Sequence, residues 1–438
     1  MPDAESEGAG DPRCPSAATF VNGGTAELDG ASALPPSRPA GPGCALMLLP
    51  VDEGQTRLFA MTPPLPREDV PLRLAAGRWA AADVLAARTQ PAADLSAMDG
   101  YAIRFADLPG PWRVVGESAA GRPFAGAVGA GQAARIFTGA AMPAGTDTVL
   151  IQEEAARDGD RLGLAGEGPL GRGRNTRARG LDFTTGDRLV EVGQRLTPAR
   201  IAVAATGGIA TLTVRRRVRV AIVATGDELV PPSAPLAGAQ LPESNGAMLA
   251  AMLADLPVDI VDLGILPDRL DVLTRAFAGV ECDLLVTTGG ASVGDHDLVR
   301  PALEAAGGTI DFWRIALRPG KPMMAGRLNG ATVLGLPGNP VSAFVTATLF
   351  VRPVIAHLGG ASAPLPVTTT AILGDDLAAN GPRTDYLRAA IRDGQVYAAA
   401  LQDSSMLLTL ARATCLVVRP AGAPAARAGD RADILVIA

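Results

Sequence analysis

The apolar positions of this chain change their period along its length, and those changes mark out its organisation. Beyond Arg217 four apolar runs, 218–224, 258–263, 284–287 and 332–336, are continuous rather than alternating. That is the pattern of strands buried on both faces of a parallel sheet. Stretches of helical pattern separate them, at 245–256, 268–279, 298–306 and 341–357. Strand and helix alternating in this way predict a doubly wound α/β domain over 215–362, with right-handed crossovers. After Pro364 only short alternating runs remain, at 367–373, 386–391, 396–401 and 415–420, which predict a small C-terminal β-barrel over 363–438.

The first half is patterned differently. Residues 1–44 are rich in Gly, Pro, Ser and Ala with no apolar period, and read as a disordered extension or as an early start of translation. Over 44–87 the pattern turns helical, with Leu72, Leu74, Ala75, Trp79 and Val84 available for a buried face. Short β-like runs then alternate with Gly and Pro turns, at 101–103, 112–115, 135–137 and 148–151. They predict a small β-rich domain over 91–182. A helical pattern returns over 196–210. Packed on the first helical segment, it makes 45–90 and 183–214 one discontinuous helical domain into which the β-rich domain is inserted.

Composition adds exclusions. A chain of 438 residues is long enough for about three domains. Aromatic residues are only 4%, too few for the stacking platforms that bind single-stranded nucleic acid. A net charge of −6 without a basic run does not draw in polyanions, so any anion must be held by local groups and no nucleic-acid partner is expected. Cysteines 14, 44, 282 and 415 are too scattered for a zinc site or a disulfide scaffold, which fits a reducing cytoplasm. No run reaches the ~18 apolar residues of a membrane span, and the acidic start has no signal-peptide pattern, so no membrane association is expected. Lys321 is the only lysine among 39 basic residues; codon bias explains the arginines and leaves open why this position differs.

In an open α/β sheet, ligands gather beyond the carboxyl ends of the strands. Three predicted strands end there in conspicuous loops: Ala224-Thr225-Gly226-Asp227-Glu228-Leu229; Thr288-Gly289-Gly290-Ala291-Ser292-Val293-Gly294-Asp295-His296-Asp297; and Leu336-Pro337-Gly338-Asn339-Pro340-Val341-Ser342-Ala343. Glycines admit a ligand close to the backbone, and a helix start presents free N–H groups to an anion. Any one of these loops could be an ordinary turn; three on one edge point to a site. Asp227, Glu228, Asp295 and Asp297 would repel one another in the same mouth, and Mg²⁺ bridging them to substrate phosphates would relieve this. Asp297 also suits a helix N-cap. Pro319-Gly320-Lys321-Pro322, with Arg314 and Arg318, supplies positive charge. In the first half, Ser96-Ala97-Met98-Asp99-Gly100-Tyr101-Ala102 is dense in polar groups, although Asp99 reads equally as a hairpin-turn residue. The same caution covers Thr138 and Asp182. His296 could border the pocket, whereas His357 ends a helix; neither reads as catalytic.

Together these segments resemble the molybdopterin molybdenumtransferase family, whose eukaryotic counterpart is the C-terminal domain of gephyrin. The matching segments run in the family's order: 96–102, 136–140 followed by Met142-Pro143-Ala144-Gly145, 226–229, 289–294, 319–322 and 336–343. The resemblance spans about residues 45–438. It implies four domains: a helical one, an inserted β-rich one, a molybdopterin-binding-like α/β domain and a C-terminal β-barrel. It implies a homodimer in which Asp99, Thr138 and Asp182 of one subunit face the α/β loops of the other. The implied reaction takes adenylylated molybdopterin and molybdate and yields the molybdenum cofactor and AMP, with Mg²⁺. Asp99, Thr138, Asp182, Asp227, Glu228 and Lys321 are then the expected catalytic residues, and Asp227, Glu228, Asp295 and Asp297 the expected metal ligands. Thr225, Gly226, Gly289, Gly290, Ser292 and Gly294 are expected around the pyrophosphate. Pro337, Gly338, Asn339, Pro340 and Ser342 are expected at the pterin phosphate, and Arg314 and Arg318 beside Lys321 at molybdate. The chain departs from the family at Arg314 and Arg318 (often Lys), Leu95-Ser96 (Asn-Ser), Leu181-Asp182 (Glu-Asp) and Glu243-Ser244-Asn245 (Asp first). Two other readings share part of the pattern: an ATP-dependent molybdopterin adenylyltransferase, and a non-catalytic scaffold or a paralogue for another metal. Tungstate in place of molybdate is equally compatible with these residues.

Overall fold

The computed structural model describes residues 48–290 and 297–437. Ser292, Gly294, Asp295 and His296 therefore lie outside the described residues.

The two segments flanking the β-rich insertion are joined by strand pairing. Arg67–Pro71 runs antiparallel to Thr211–Arg215, and Val84–Leu85 to Arg188–Val190. Their shared core contains Val70, Ala75, Ala80, Val84, Leu196, Ala204 and Val214. Helix is shorter here than the apolar period predicts. Val51–Ala60 and Pro198–Thr206 are regular helices, but only the single turn Leu72–Ala75 is α-helical over 66–90. Pro63, Pro64 and Pro66 break the first helix's continuation, and pairing with Thr211–Arg215 claims the next five residues. Leu74, expected on a buried face, is exposed.

The insertion is a six-stranded sheet in the order Thr148–Ile151, Gly100–Ile103, Gln132–Ile136, Trp112–Ser118, Arg161–Leu164, Ala155–Asp158. Tyr101, Ile103, Trp112, Leu150 and Leu162 fill one face, and Ala102, Ile136 and Val149 the other.

In the α/β domain the strands are β1 (Val218–Thr225), β2 (Val258–Leu266), β3 (Leu284–Thr288), β4 (Thr309–Arg314), β5 (Pro322–Leu328) and β6 (Ala331–Leu336). They lie in the order β2-β1-β3-β6-β5-β4; the first four are parallel, and β5 and β4 close one side antiparallel. Along β1, Val220 and Ile222 face a core shared with α1 (Asn245–Leu253) and the helical stretch Pro340–Leu358. Ala221 and Val223 face the other core, shared with α2 (Leu270–Gly279) and α3 (Val299–Ala305). Covering both faces is what makes the run continuous rather than alternating. The run 258–263 is a correction: β2 is the sheet edge, so Ile260 and Val261 remain 38% and 37% exposed. Pro340–Leu358 is long and apolar enough to cross a membrane, but 78% of that window is buried within the protein, the setting of a core helix.

The C-terminal strands close on themselves. Thr384–Arg392 pairs with Gln395–Ala398, then Thr369–Leu373, Arg431–Val436 and Cys415–Arg419 follow, and the last pairs back with the first. The result is a five-stranded barrel. Leu317–Arg318, from the α/β domain, adds in parallel to Thr384–Asp385.

Where the chain enters the sheet, Arg216 places both terminal nitrogens on the two Asp283 oxygens at 2.6 Å, and the Arg219 N–H donates to the same carboxylate at 2.8 Å. Burial would raise the Asp283 carboxyl, but these donors hold it below its ordinary value. Its side chain is 8% exposed and that of Arg216 31%, so solvent screens the pair only in part. We expect Asp283→Asn to cost about 2 kcal/mol at neutral pH, read from urea unfolding. Because the folded pKa is depressed, this contribution is present above the unfolded value of about 3.9 and fades as pH falls through the folded one. A constant difference between pH 7 and pH 3 would refute the assignment.

Candidate functional site

Beyond the carboxyl ends of β1, β3 and β6 lies a cavity of about 740 Å³, within the usual ~300–1,000 Å³ range of small-molecule sites. Its floor exists because two glycines carry no side chain. A Cβ on Gly289 (φ +88°) would lie 2.4 Å from the Thr225 carbonyl oxygen, and one on Gly290 (φ +62°) 2.2 Å from Val299 Cγ2. Both positions therefore demand glycine on two counts, backbone conformation and space. Pro337, Gly338, Asn339 and Pro340 form the adjoining wall.

Among the described residues, the buried Thr225 Oγ1, Thr288 Oγ1 and Asn245 Oδ1 of this lining have no hydrogen-bond partner. The Asn245 amide is oriented by its Nδ2, which donates to the Gly338 carbonyl at 2.8 Å. Leaving such groups unsatisfied costs about 1–3 kcal/mol each, a recurring sign of a ligand site.

Glu228, Glu243 and Asp268 also line the cavity, and none of its described lining residues is Lys or Arg. Asp227 Oδ1 accepts from the Asp268 N–H at 3.0 Å. Burial, then the Asp227 carboxylate and also Glu228, push the Asp268 carboxyl above its usual value. Asp297 accepts from Val299 N–H at 3.3 Å, but the N-cap of α3 is Leu298, so Asp297 stands one residue before the cap position expected for it. Among the described residues no three acidic, His or Cys side chains converge as a metal cage.

Positive charge stands beside the cavity rather than in it. β4 and β5 form a hairpin whose tip is closed by Ile315 N–H donating to Lys321 O at 3.0 Å, and Pro322 lines the cavity wall. Arg314, Arg318 and Lys321 all belong to this tip. Lys321 is exposed. Arg318 instead pairs with Asp385 of the barrel, a carboxyl that burial pushes up against the pull of Arg318, Arg383 and Arg419.

The helix start at Pro340 is shared with the barrel. Val341 N–H donates to Ser404 O at 3.2 Å and Asn339 Nδ2 to Ser404 Oγ at 3.1 Å, while Ser405 and Leu407 reach the cavity. One N–H expected for an anion is thus already taken. Ser342 is buried and does not line the cavity.

Asp99, Thr138 and Asp182 lie elsewhere in the chain, since no lining residue precedes Thr225. Asp99 Oδ1 accepts from Thr138 N–H at 2.7 Å and from its hydroxyl at 2.8 Å. These donors, the backbone one foremost, hold the Asp99 carboxyl below its usual value. Arg135 stacks nearby against Tyr101 and Phe137. Asp182 is exposed on a turn whose N–H donates to Gln90 O. Sequence reading missed Asn245, Asp268 and Ser405 as cavity residues. Asp268 follows a strand end and was findable by that rule; Ser405 comes from another domain and carried no signal.

Two tests follow from this geometry. Gly289→Ala should abolish ligand binding in calorimetry, and retained affinity would show that the floor yields. In Thr138→Val the Asp99 carboxyl, followed by carbon NMR, should titrate higher than in the native protein yet still below its ordinary value, since the backbone donor remains; an unmoved midpoint would remove the hydroxyl from the account.

Known proteins place these features in a wider group. Residues 49–208 match the family described as MoeA N-terminal region (domain I and II), 221–357 the "Probable molybdopterin binding domain", and 370–437 the MoeA C-terminal region (domain IV). The molybdopterin molybdenumtransferase of Haemophilus influenzae is 36% identical over 382 residues, covering 85% of this chain and 94% of that one. That of a Nostoc species is 35% identical over 388 residues, covering 84% and 88%. The crystal structure of the molybdopterin biosynthesis MoeA protein from Pyrococcus horikoshii superposes with a TM-score of 0.76 at 27% identity, covering 89% of this chain and all of that one. With three regions matched in order and relatives aligned over most of their length, the chain belongs to the molybdopterin molybdenumtransferase family.

Proposed function

We propose that the protein is a molybdopterin molybdenumtransferase, which inserts molybdenum from molybdate into adenylylated molybdopterin and releases AMP. The observation that carries this reading is the cavity at the carboxyl edge, with Thr225, Thr288 and Asn245 atoms that have no partner among the described residues and a cationic hairpin tip alongside. A polar, flat ligand satisfies the buried groups. An oxyanion is drawn to Lys321 and Arg314, which have no side-chain ion pair among the described residues.

Mg²⁺ fits the acidic mouth. This ion is usually held by one or two carboxylates together with substrate phosphates rather than by a protein cage. One or two of Asp227, Glu228 and Asp268 would hold it together with substrate phosphates, and bound there it would offset charge on the phosphate that leaves. Without such compensation the pyrophosphate would face carboxylates alone.

Asp99, Thr138 and Asp182 enter through a second copy of the chain. In a homodimer the β-rich sheet of one subunit faces the α/β cavity of the other, and Asp99, kept ionised by Thr138, orients water or metal there. Its scattered cysteines support a cytoplasmic location. Adenylyl transfer from ATP is the less favoured reading, because it leaves the β-rich insertion and the barrel without a role.

The decisive experiment is a single turnover of adenylylated molybdopterin with Mg²⁺, with and without molybdate, following AMP. Molybdate-dependent release is expected, reduced at least a hundredfold in Asp227→Ala and in Asp99→Ala, with activity restored on mixing those two variants as one hybrid site forms. Tight binding with no release would refute the transferase reading. Loss without recovery on mixing would refute the shared site.

A further inference from the structure

We propose that Asp385, on the C-terminal barrel, is a positioning residue for oxyanion binding, acting by holding Arg318. The proposal rests on the reading above that the hairpin tip 314–321 receives molybdate.

The barrel and the hairpin tip are joined at this point. Leu317–Arg318 runs parallel to Thr384–Asp385 with Arg318 opposite Asp385, and Thr384 N–H donates to Ala316 O at 2.9 Å. From below, Gly320 presses on the long core helix, leaving 2.6 Å between its Cβ position and Thr346 Oγ1. The backbone of the tip is therefore fixed on two sides. Arg318, at its apex, has a side chain 57% exposed, whereas that of Asp385 is 5% exposed.

How the two groups meet distinguishes a positioning contact from plain charge neutralisation. Arg216 spends both terminal nitrogens on its buried carboxylate. Arg318 donates to Asp385 through Nη2 alone among the described residues. A guanidinium carries five N–H donors in a rigid plane, so one anchored corner leaves an oriented edge turned to solvent. Arg383 and Arg419 also act on Asp385, though less than Arg318 does. An exposed arginine otherwise pays ordering entropy on every binding event, about tenfold in affinity for one long side chain. Anchoring removes that cost in advance. The opposing effect is repulsion between Asp385 and an incoming oxyanion, set against the positive charges of Arg318, Arg383 and Arg419.

The test is AMP release against molybdate concentration at saturating adenylylated molybdopterin, in the full chain with Mg²⁺. Asp385→Asn should raise the KM for molybdate about tenfold, with kcat and the KM for adenylylated molybdopterin unchanged. In an Arg318→Gln background the same change should have no further effect. Arg318→Lys, which keeps the charge but cannot hold Asp385 and an outward edge together, should raise the molybdate KM while leaving the barrel untouched. A lower or unchanged KM in Asp385→Asn, or an equal penalty in the Arg318→Gln background, would overturn the proposal. So would a native KM in Arg318→Lys, which remains informative even where Asp385→Asn fails to fold. If Arg318→Gln leaves molybdate dependence intact in an active enzyme, the proposal falls while the transferase reading stands. If the native protein releases no AMP, both fall.

Discussion

The site depends on one backbone contact. β1 and β3 are neighbours in register, Ala224 opposite Thr288, and the chain must turn away immediately after both. The Thr225 carbonyl and the Gly289 α-carbon then come so near that no Cβ fits between them. Any other residue would push the second loop outward and close the space over Thr225, Thr288 and Asn245. The cavity is in this sense a consequence of parallel strand spacing combined with a missing side chain. The cost is three buried polar atoms without partners among the described residues. Two dense cores on opposite faces of the same sheet hold the strands in place regardless.

Charge is divided by secondary structure. Carboxylates come from loops after parallel strands, at Glu228 and Asp268, whereas cations come from the tip of an antiparallel hairpin at the same edge. The mixed sheet brings the two within one region without letting them pair with each other. The Asp268 carboxyl is raised by burial and by its acidic neighbours. Arg318 is the exception that crosses the boundary, and it does so toward the barrel rather than toward the mouth.

How far the sequence could be read follows from the same physics. The α/β strands were legible because Val220, Ala221, Ile222 and Val223 are all buried, two on each face, so hydrophobicity is continuous. The same rule misjudged β2, since an apolar run does not reveal whether a neighbour covers it. The glycine loops were legible one by one, as were Asp99 and Thr138, which pair as neighbours in space. What stayed hidden was contributed across domains: Ser405 at the cavity, Ser404 on the helix start, and Asp385 under Arg318. Sequence periodicity reports local burial and is silent about which distant segment supplies the contact. The short helical content over 66–90 was hidden for a related reason, because Thr211–Arg215 lies about 140 residues away from the strand it recruits.

That long separation also bears on how the molecule is made. The domain that encloses the insertion lacks half of its core until Leu196, Leu212 and Val214 have left the ribosome. The β-rich sheet, contiguous over 100–164, can form while the flanking segments wait. Domains generally fold as units in the order of their synthesis. Here the inserted module should become protected from hydrogen exchange before the module that encloses it, so the N-terminal end of the described chain would be among the last parts of its own half to settle.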